Sequence, residues 1–212
     1  MPRSTPLTRE RILTAALALA DAHGVDGLSM RNLARELGVG AMSLYNHVEG
    51  KDDVIDGITD LVAAEFTLPA GEDWRGSLRA SALAAHHVLL RHPWACVQMM
   101  ARPQLGPARL AYYDAILGTL FAAGFDGRLA RRGFLTLDAH VLGFTLQEAS
   151  NPYQPEEFSE ALDVFIDLMP PGYPHMRRML TELGASGDWD YGFSFTLDLI
   201  LDGLARSLDG AS

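Results

Sequence analysis

Three observations predict an all-α fold for this chain of 212 residues. Apolar residues recur at helical spacing along most of its length. Alternating β-branched runs bounded by turns, the mark of strands, are absent, and Gly and Pro divide the chain into helix-sized segments. In the first segment Ile12, Ala16 and Ala20 fall at four-residue steps beside Leu13 and Leu17, and the stripe ends before His23-Gly24. Ser29 then stands as an N-cap ahead of a compact helix, Met30–Leu37. Leu33, Ala34 and Leu37 point inward there, and Arg31, Asn32, Arg35 and Glu36 outward. Gly38 supplies the left-handed stop. Val39-Gly40 leads into a second short helix over 41–47, with Leu44 and Val48 turned to the same small core. Longer segments follow, broken at Pro69-Ala70-Gly71, Pro93, 103–107, 124–127, 151–155, 170–174 and 184–187. About nine or ten helices are expected. The change from short to long segments near residue 50 divides the chain into 1–50 and 51–212.

The most apolar long segments are 128–149 and 190–208. Phe134, Leu135, Leu137, Val141, Leu142, Phe144 and Leu146 cover more than one face of the first. Phe193, Phe195, Leu197, Leu199, Ile200, Leu201 and Leu204 do so on the second. Helices apolar on several faces must be buried on several sides. A central core helix of a monomer and a contact with a second copy both satisfy that requirement.

The net charge is -10, with 17 Lys+Arg against 27 Asp+Glu, which as a single number argues against a nucleic-acid partner. Divided at residue 51 it reads differently. Residues 1–51 carry six basic and five acidic groups, and the remainder carries 11 basic and 22 acidic. The acidity therefore belongs to the larger part. Lys51 is the only lysine; the other basic residues are all Arg.

Other classes find little support. A single cysteine, Cys96, cannot close an intrachain disulfide. No stretch without Asp, Glu, Lys or Arg exceeds 12 residues, too few to span a bilayer. The N-terminus is unlike a signal peptide, so a cytoplasmic location is expected. His86, His87, His92 and Cys96 lack metal-ligand spacing, and no Gly-x-Ser-x-Gly elbow or phosphate-binding Gly-Lys-Ser/Thr loop is present. No catalytic residue, cofactor or metal is expected.

Two short helices joined by a Gly turn form a helix-turn-helix, whose second helix can enter a major groove. Its outer face offers Ala41, Met42, Ser43, Tyr45 and Asn46: methyls, hydroxyls and an amide able to read base edges or hold phosphate. Helix–Gly–helix pairs also occur in all-α proteins that never meet DNA, so spacing alone leaves both readings open.

The residues carry more than the spacing. Leu33-Ala34-Arg35-Glu36-Leu37-Gly38-Val39, then Leu44-Tyr45-Asn46-His47-Val48, then Lys51 closely resemble the DNA-binding segment of the TetR family of bacterial transcriptional repressors. The likeness reaches back through 8–24. More weakly, residues 74–103, Gly124-Phe125 and 140–148 are similar to the body of the tetracycline-repressor branch. The resemblance implies that Met30 and Arg31 reach the groove edge and phosphates. It implies that Ala41, Met42, Ser43, Tyr45 and Asn46 form the recognition surface, and that His47 and Lys51 hold the backbone. Lys51 at a helix start agrees physically, because free N–H groups there also attract phosphate.

For the body, the resemblance implies a homodimer closed by a four-helix bundle from the two apolar helices. Its recognition helices would lie about 34 Å, or a multiple, apart on a palindromic double-stranded operator. It also implies a small-molecule effector held between about Arg75 and Gln147. Candidate lining residues are His86, His87, Val97, Gln98, Met99, Met100, Tyr112, Tyr113, Ile116, Phe121, Phe144, Gln147 and Glu148. Gln98 stands where the tetracycline-binding members carry a metal-coordinating His, and Ala101 and Ala115 replace polar positions. A larger, more apolar aromatic effector without a metal is therefore expected, such as an antibiotic or secondary metabolite. A constitutive DNA-binding dimer and a helical small-molecule enzyme or binding protein are the alternatives.

Overall fold

The computed structural model describes residues 6–68, 71, 73–102, 104–151, 155–186 and 192–210. The expected breaks at Pro69-Ala70, Pro103, 152–154 and Gly187, and residues 1–5, lie outside them. Among the described residues there are eleven α-helices and no strand. They are α1 (Arg9–Gly27), α2 (Met30–Leu37), α3 (Ala41–Leu44), α4 (Lys51–Ala64), α5 (Trp74–Arg91), α6 (Pro93–Ala101), α7 (Pro107–Ala122), α8 (Gly127–Ala149), α9 (Pro155–Leu168), α10 (Pro174–Ser186) and α11 (Phe193–Asp209). The count exceeds the expected nine or ten. One extra boundary is small: α5 and α6 are separated by His92 alone, because Pro93 has no N–H to continue α5 and opens a new helix instead.

Side-chain caps open four of the helices. Thr8 Oγ1 accepts the Arg11 N–H at 3.2 Å, Ser29 Oγ that of Asn32 at 3.1 Å and Asp126 Oδ1 that of Leu129 at 2.7 Å. Asp73 accepts from Arg75 and Gly76 at 3.1 and 2.9 Å. Gly38 ends α2 at φ 67° and ψ 31°, a conformation in which a side chain would be strained. Three sequence expectations need correction. α3 stops at Leu44 rather than continuing to His47, and residues 45–47 form a turn in which the His47 N–H donates to Leu44 O at 2.9 Å. Gly40 gives α3 no side-chain cap, and Arg9 on α1 donates to His47 O at 3.3 Å, so a tertiary contact helps shape this turn. Asn32, expected outside, is half-buried and donates to Gly27 O at 3.1 Å. Of the expected second apolar segment, Asp190 is outside the described residues and the helix begins at Phe193.

The buried side chains form two clusters. The first gathers Ile12, Leu13, Ala16 and Ala20 from α1 with Leu28, Leu33, Ala34, Leu44, Val48, Val54, Ile55 and Ile58. The second begins at Val62 and Ala63 and runs through α5, α6, α7, α8 and α11. α4 is common to both, its first half in one and its last turn in the other. Polar contacts join the parts beside it. Arg9 makes two bonds to Asp53 at 2.8 and 2.6 Å, and Arg102, at the end of α6, pairs with Asp56 and Asp52. Asp21 on α1 contacts His92 Nδ1 at 2.7 Å and accepts the Trp94 indole N–H at 2.8 Å.

Asp60 on α4 also accepts the Ala108 and Arg109 N–H groups at 3.2 and 3.0 Å, so it caps α7 from another helix. A Cβ on Gly106 would run into that carboxylate. Gly106→Ala is therefore expected to push Asp60 off α7 and lower stability by about 1–2 kcal/mol in urea denaturation. Asp60→Ala should cost a similar amount, and the double variant little more than either, because both remove one cap. Fully additive losses would show the two residues acting separately.

Candidate nucleic-acid interface and enclosed cavity

The side chains proposed to meet DNA come from three short pieces of backbone: the start of α2, α3 with its turn, and the start of α4. Arg31, Ala41, Met42, Tyr45, Asn46, His47 and Lys51 are exposed. Met42, at 77% exposure, and Tyr45, at 47%, are large apolar groups left in solvent while Leu44 and Val48 between and beside them are buried. Such exposure asks for a partner surface. Met30 and Ser43 are only half-buried rather than exposed, and Met30 packs against the first core. Arg9 is partly neutralised by Asp53, whose carboxyl the Arg9 guanidinium holds below the usual range. Arg9 also donates to His47 O at 3.3 Å, and Arg31, Arg35 and Lys51 are exposed cations of α2 and α4.

The body contains a cavity between α5, α6, α7 and α8, with Phe66, just beyond α4, on its wall. Its volume is only about 30 Å³. A sizeable guest must therefore widen it. Met99, Tyr112, Tyr113 and Ile116 line it, four of the residues expected there. Leu78, Ala82, Ala85, Leu89, Phe134, Leu137, Val141 and Leu142 supply an apolar wall, and Arg109 and Asp138 the charged groups.

The other expected lining residues lie elsewhere. His87, Val97, Met100, Phe121 and Gln147 are exposed, and Gln98 is half-buried but off the cavity. A helix of 3.6 residues per turn cannot send His86 and His87, or Gln98, Met99 and Met100, to one face. His86 is buried instead beside a second aromatic group. Its ring stacks on Phe193 at 3.9 Å, Phe193 stacks on His140 at 4.7 Å, and Phe144 meets Phe193 edge-on at 5.6 Å. His86 Nδ1 lies 2.8 Å from Thr145 Oγ1, and Nε2 lies 3.5 Å from Glu148. Burial, with His87 and His140 nearby, lowers the His86 pKa to about 4.

Arg109 and Asp138 were missed in the sequence. Arg109 is buried, with Nε donating to Tyr113 Oη at 2.9 Å and Nη2 donating to Met99 O. Tyr113 Oη donates in turn to Asp138 Oδ1 at 3.1 Å. Burial pushes the Tyr113 hydroxyl up to about 12 and raises the Asp138 carboxyl. A signal existed: Asp138 is the sole acidic residue between Asp126 and Glu148, on an otherwise apolar helix face.

Two family models match the chain. "Bacterial regulatory proteins, tetR family" covers residues 12–58, and "Tetracyclin repressor-like, C-terminal domain" covers residues 68–208. An HTH-type transcriptional regulator of Saccharopolyspora erythraea is 35% identical over 209 residues, 97% of this chain and 88% of that protein. The HTH-type transcriptional repressor DrrR1 of Streptomyces coeruleorubidus is 35% identical over 218 residues, 96% of this chain and 78% of the relative. The structure of the TetR family protein ActR of Streptomyces coelicolor in complex with actinorhodin superposes with a TM-score of 0.82 at 28% identity, covering 98% of this chain and 100% of ActR. The fold and the short-helix pair thus define a helix-turn-helix transcriptional regulator. The chain belongs to the TetR family of bacterial regulatory proteins. Among the described residues, no helix is long and apolar enough to cross a membrane.

Proposed function

We propose that this chain is a cytoplasmic repressor, not an enzyme, which binds a palindromic operator as a homodimer and is released by a small apolar molecule entering the body. The observation that carries it is the pairing of an exposed recognition surface, Met42 and Tyr45 foremost, with an internal cavity joined to it through α4. Residues 1–50 supply the DNA-binding unit and 51–212 the regulatory unit. Met30 and Arg31 reach the groove edge and phosphates, His47 and Lys51 hold the backbone, and Ala41, Met42, Ser43, Tyr45 and Asn46 read the groove. Dimerisation uses α8 and α11, which leave Leu135, Phe195 and Leu199 exposed at 44%, 68% and 54%. That apolar outer face is suited to a four-helix bundle with a second copy. The actinorhodin complex of ActR and the repressor named DrrR1 support a ligand-responsive repressor here.

Effector binding acts by favouring a dimer whose recognition helices no longer match the groove spacing, so DNA and ligand compete. The test is retention on the chain's own upstream DNA. Lys51→Ala is expected to weaken cognate and random duplex alike, by about 1 kcal/mol or less, and to flatten the salt dependence. Met42→Ala should instead change the preferred operator bases. Unchanged binding in both variants removes the residue assignments, and failure to bind any duplex at low salt removes the regulator reading. Specific binding that no small molecule reverses would favour a constitutive DNA-binding dimer.

A further inference from the structure

The cavity is apolar except at one place, and the chemistry of that place restricts what can enter. Arg109 is 6% exposed, and beyond Tyr113 and the Met99 carbonyl its guanidinium N–H groups have no other partner among the described residues. Asp138 is likewise bonded through its side chain to the Tyr113 hydroxyl alone. The cation and the anion do not pair directly. A phenol oxygen stands between them, accepting from Arg109 at 2.9 Å and donating to Asp138 at 3.1 Å. Tyr112 adds a second phenol to the same wall, its hydroxyl 3.3 Å from Ser81 Oγ.

From this arrangement we infer that the effector is an uncharged aromatic molecule anchored by a hydroxyl group that joins Arg109 and Asp138 as the Tyr113 hydroxyl does. The inference rests on the reading of the cavity as the effector site and deepens it to a ligand class. A hydroxyl is both acceptor and donor, so one atom satisfies the spare capacity of both residues. A methyl ether accepts from Arg109 but leaves Asp138 without a proton to share. A carboxylate pairs with Arg109 but faces the Asp138 charge in an apolar surround, where unmatched charge is costly. The rest of the guest meets Phe66, Phe134, Leu137 and Ile116, which suit a fused ring system.

A matched naphthalene series tests the class directly, by fluorescence titration of the full-length protein. 2-Naphthol, 2-methoxynaphthalene and 2-naphthoate share one ring frame and differ only in the polar group. Naphthol is expected to bind at least about tenfold more tightly than either analogue, the size of one hydrogen bond to a charged group. In Arg109→Met and in Asp138→Leu that advantage should shrink to about twofold or less, with thermal melting run alongside to verify folding. If either variant fails to fold, Arg109→Lys and Asp138→Asn replace it, and the naphthol advantage should still fall in each. Equal binding of naphthol and its methyl ether overturns the inference, as does tighter binding of naphthoate or no naphthol binding. Operator retention by the same samples is measured separately. Absence of specific retention before any ligand is added would refute the repressor reading and leave the naphthol preference standing or falling by itself.

Discussion

Leu44→Ala is expected to abolish specific DNA retention and to lower stability by about 2–5 kcal/mol, the range for truncating a fully buried leucine. Leu44 is 0% exposed and ends a helix of only four residues whose N-cap, Gly40, contributes no side-chain bond. A helix that short has little stability of its own. Its orientation, and with it the positions of Met42 and Tyr45, depends on Leu44 and Val48 being seated among Leu33, Val54 and Ile58. Melting followed by circular dichroism and fluorescence anisotropy on the upstream duplex are the measurements. Ligand-binding by the cavity should survive, because Leu44 belongs to the first cluster and the cavity wall to the second. Wild-type DNA affinity in Leu44→Ala would show that the recognition turn is held by something other than this core.

Acidification is the second large effect. His86 is buried and its pKa is lowered to about 4, chiefly by burial and then by His87 and His140, so the folded protein favours the neutral ring. The unfolded chain takes up a proton near pH 6.5, the ordinary value. Between about pH 6.5 and 4 the unfolded state therefore binds more protons, and stability falls as pH falls. Above pH 6.5 the contribution is fully present. The expected loss between pH 7 and pH 4.5 is about 2–3 kcal/mol. His140, also lowered by burial, acts in the same direction. Urea denaturation at pH 7 and pH 4.5 measures the loss, and His86→Phe, which keeps an aromatic ring against Phe193, should reduce it. An unaltered pH dependence in that variant would place the sensitivity in other groups.

The short-helix pair is legible in the sequence alone, through its family-like motif. Ser29, Gly38 and the buried Leu33, Ala34 and Leu44 need only capping and periodicity, because those are local properties of the chain. The cavity is legible only in part. Met99, Tyr112, Tyr113 and Ile116 are recognisable as an apolar and aromatic group, whereas His87, Met100 and Gln147, chosen for their chemistry, turn to solvent. Residue type does not specify rotation about a helix axis, which is set by packing against α5, α6 and α8. Arg109 escapes notice for the complementary reason. A lone arginine near a helix start suggests a surface charge, until Asp60 caps that helix from α4 and the guanidinium reaches the Met99 carbonyl.

By itself the sequence determined the helical class, the division of charge that leaves the first 51 residues slightly basic, and the family-like recognition segment. These follow from composition and from spacings along one chain. Tertiary structure alone decided that α3 is a single turn held by Leu44 and that α4 belongs to both cores. It also decided that one phenol stands between a buried cation and a half-buried anion. Each of these depends on residues far apart in sequence, and the separation between Tyr113 and Asp138 is a property of two packed helices that neither helix encodes alone.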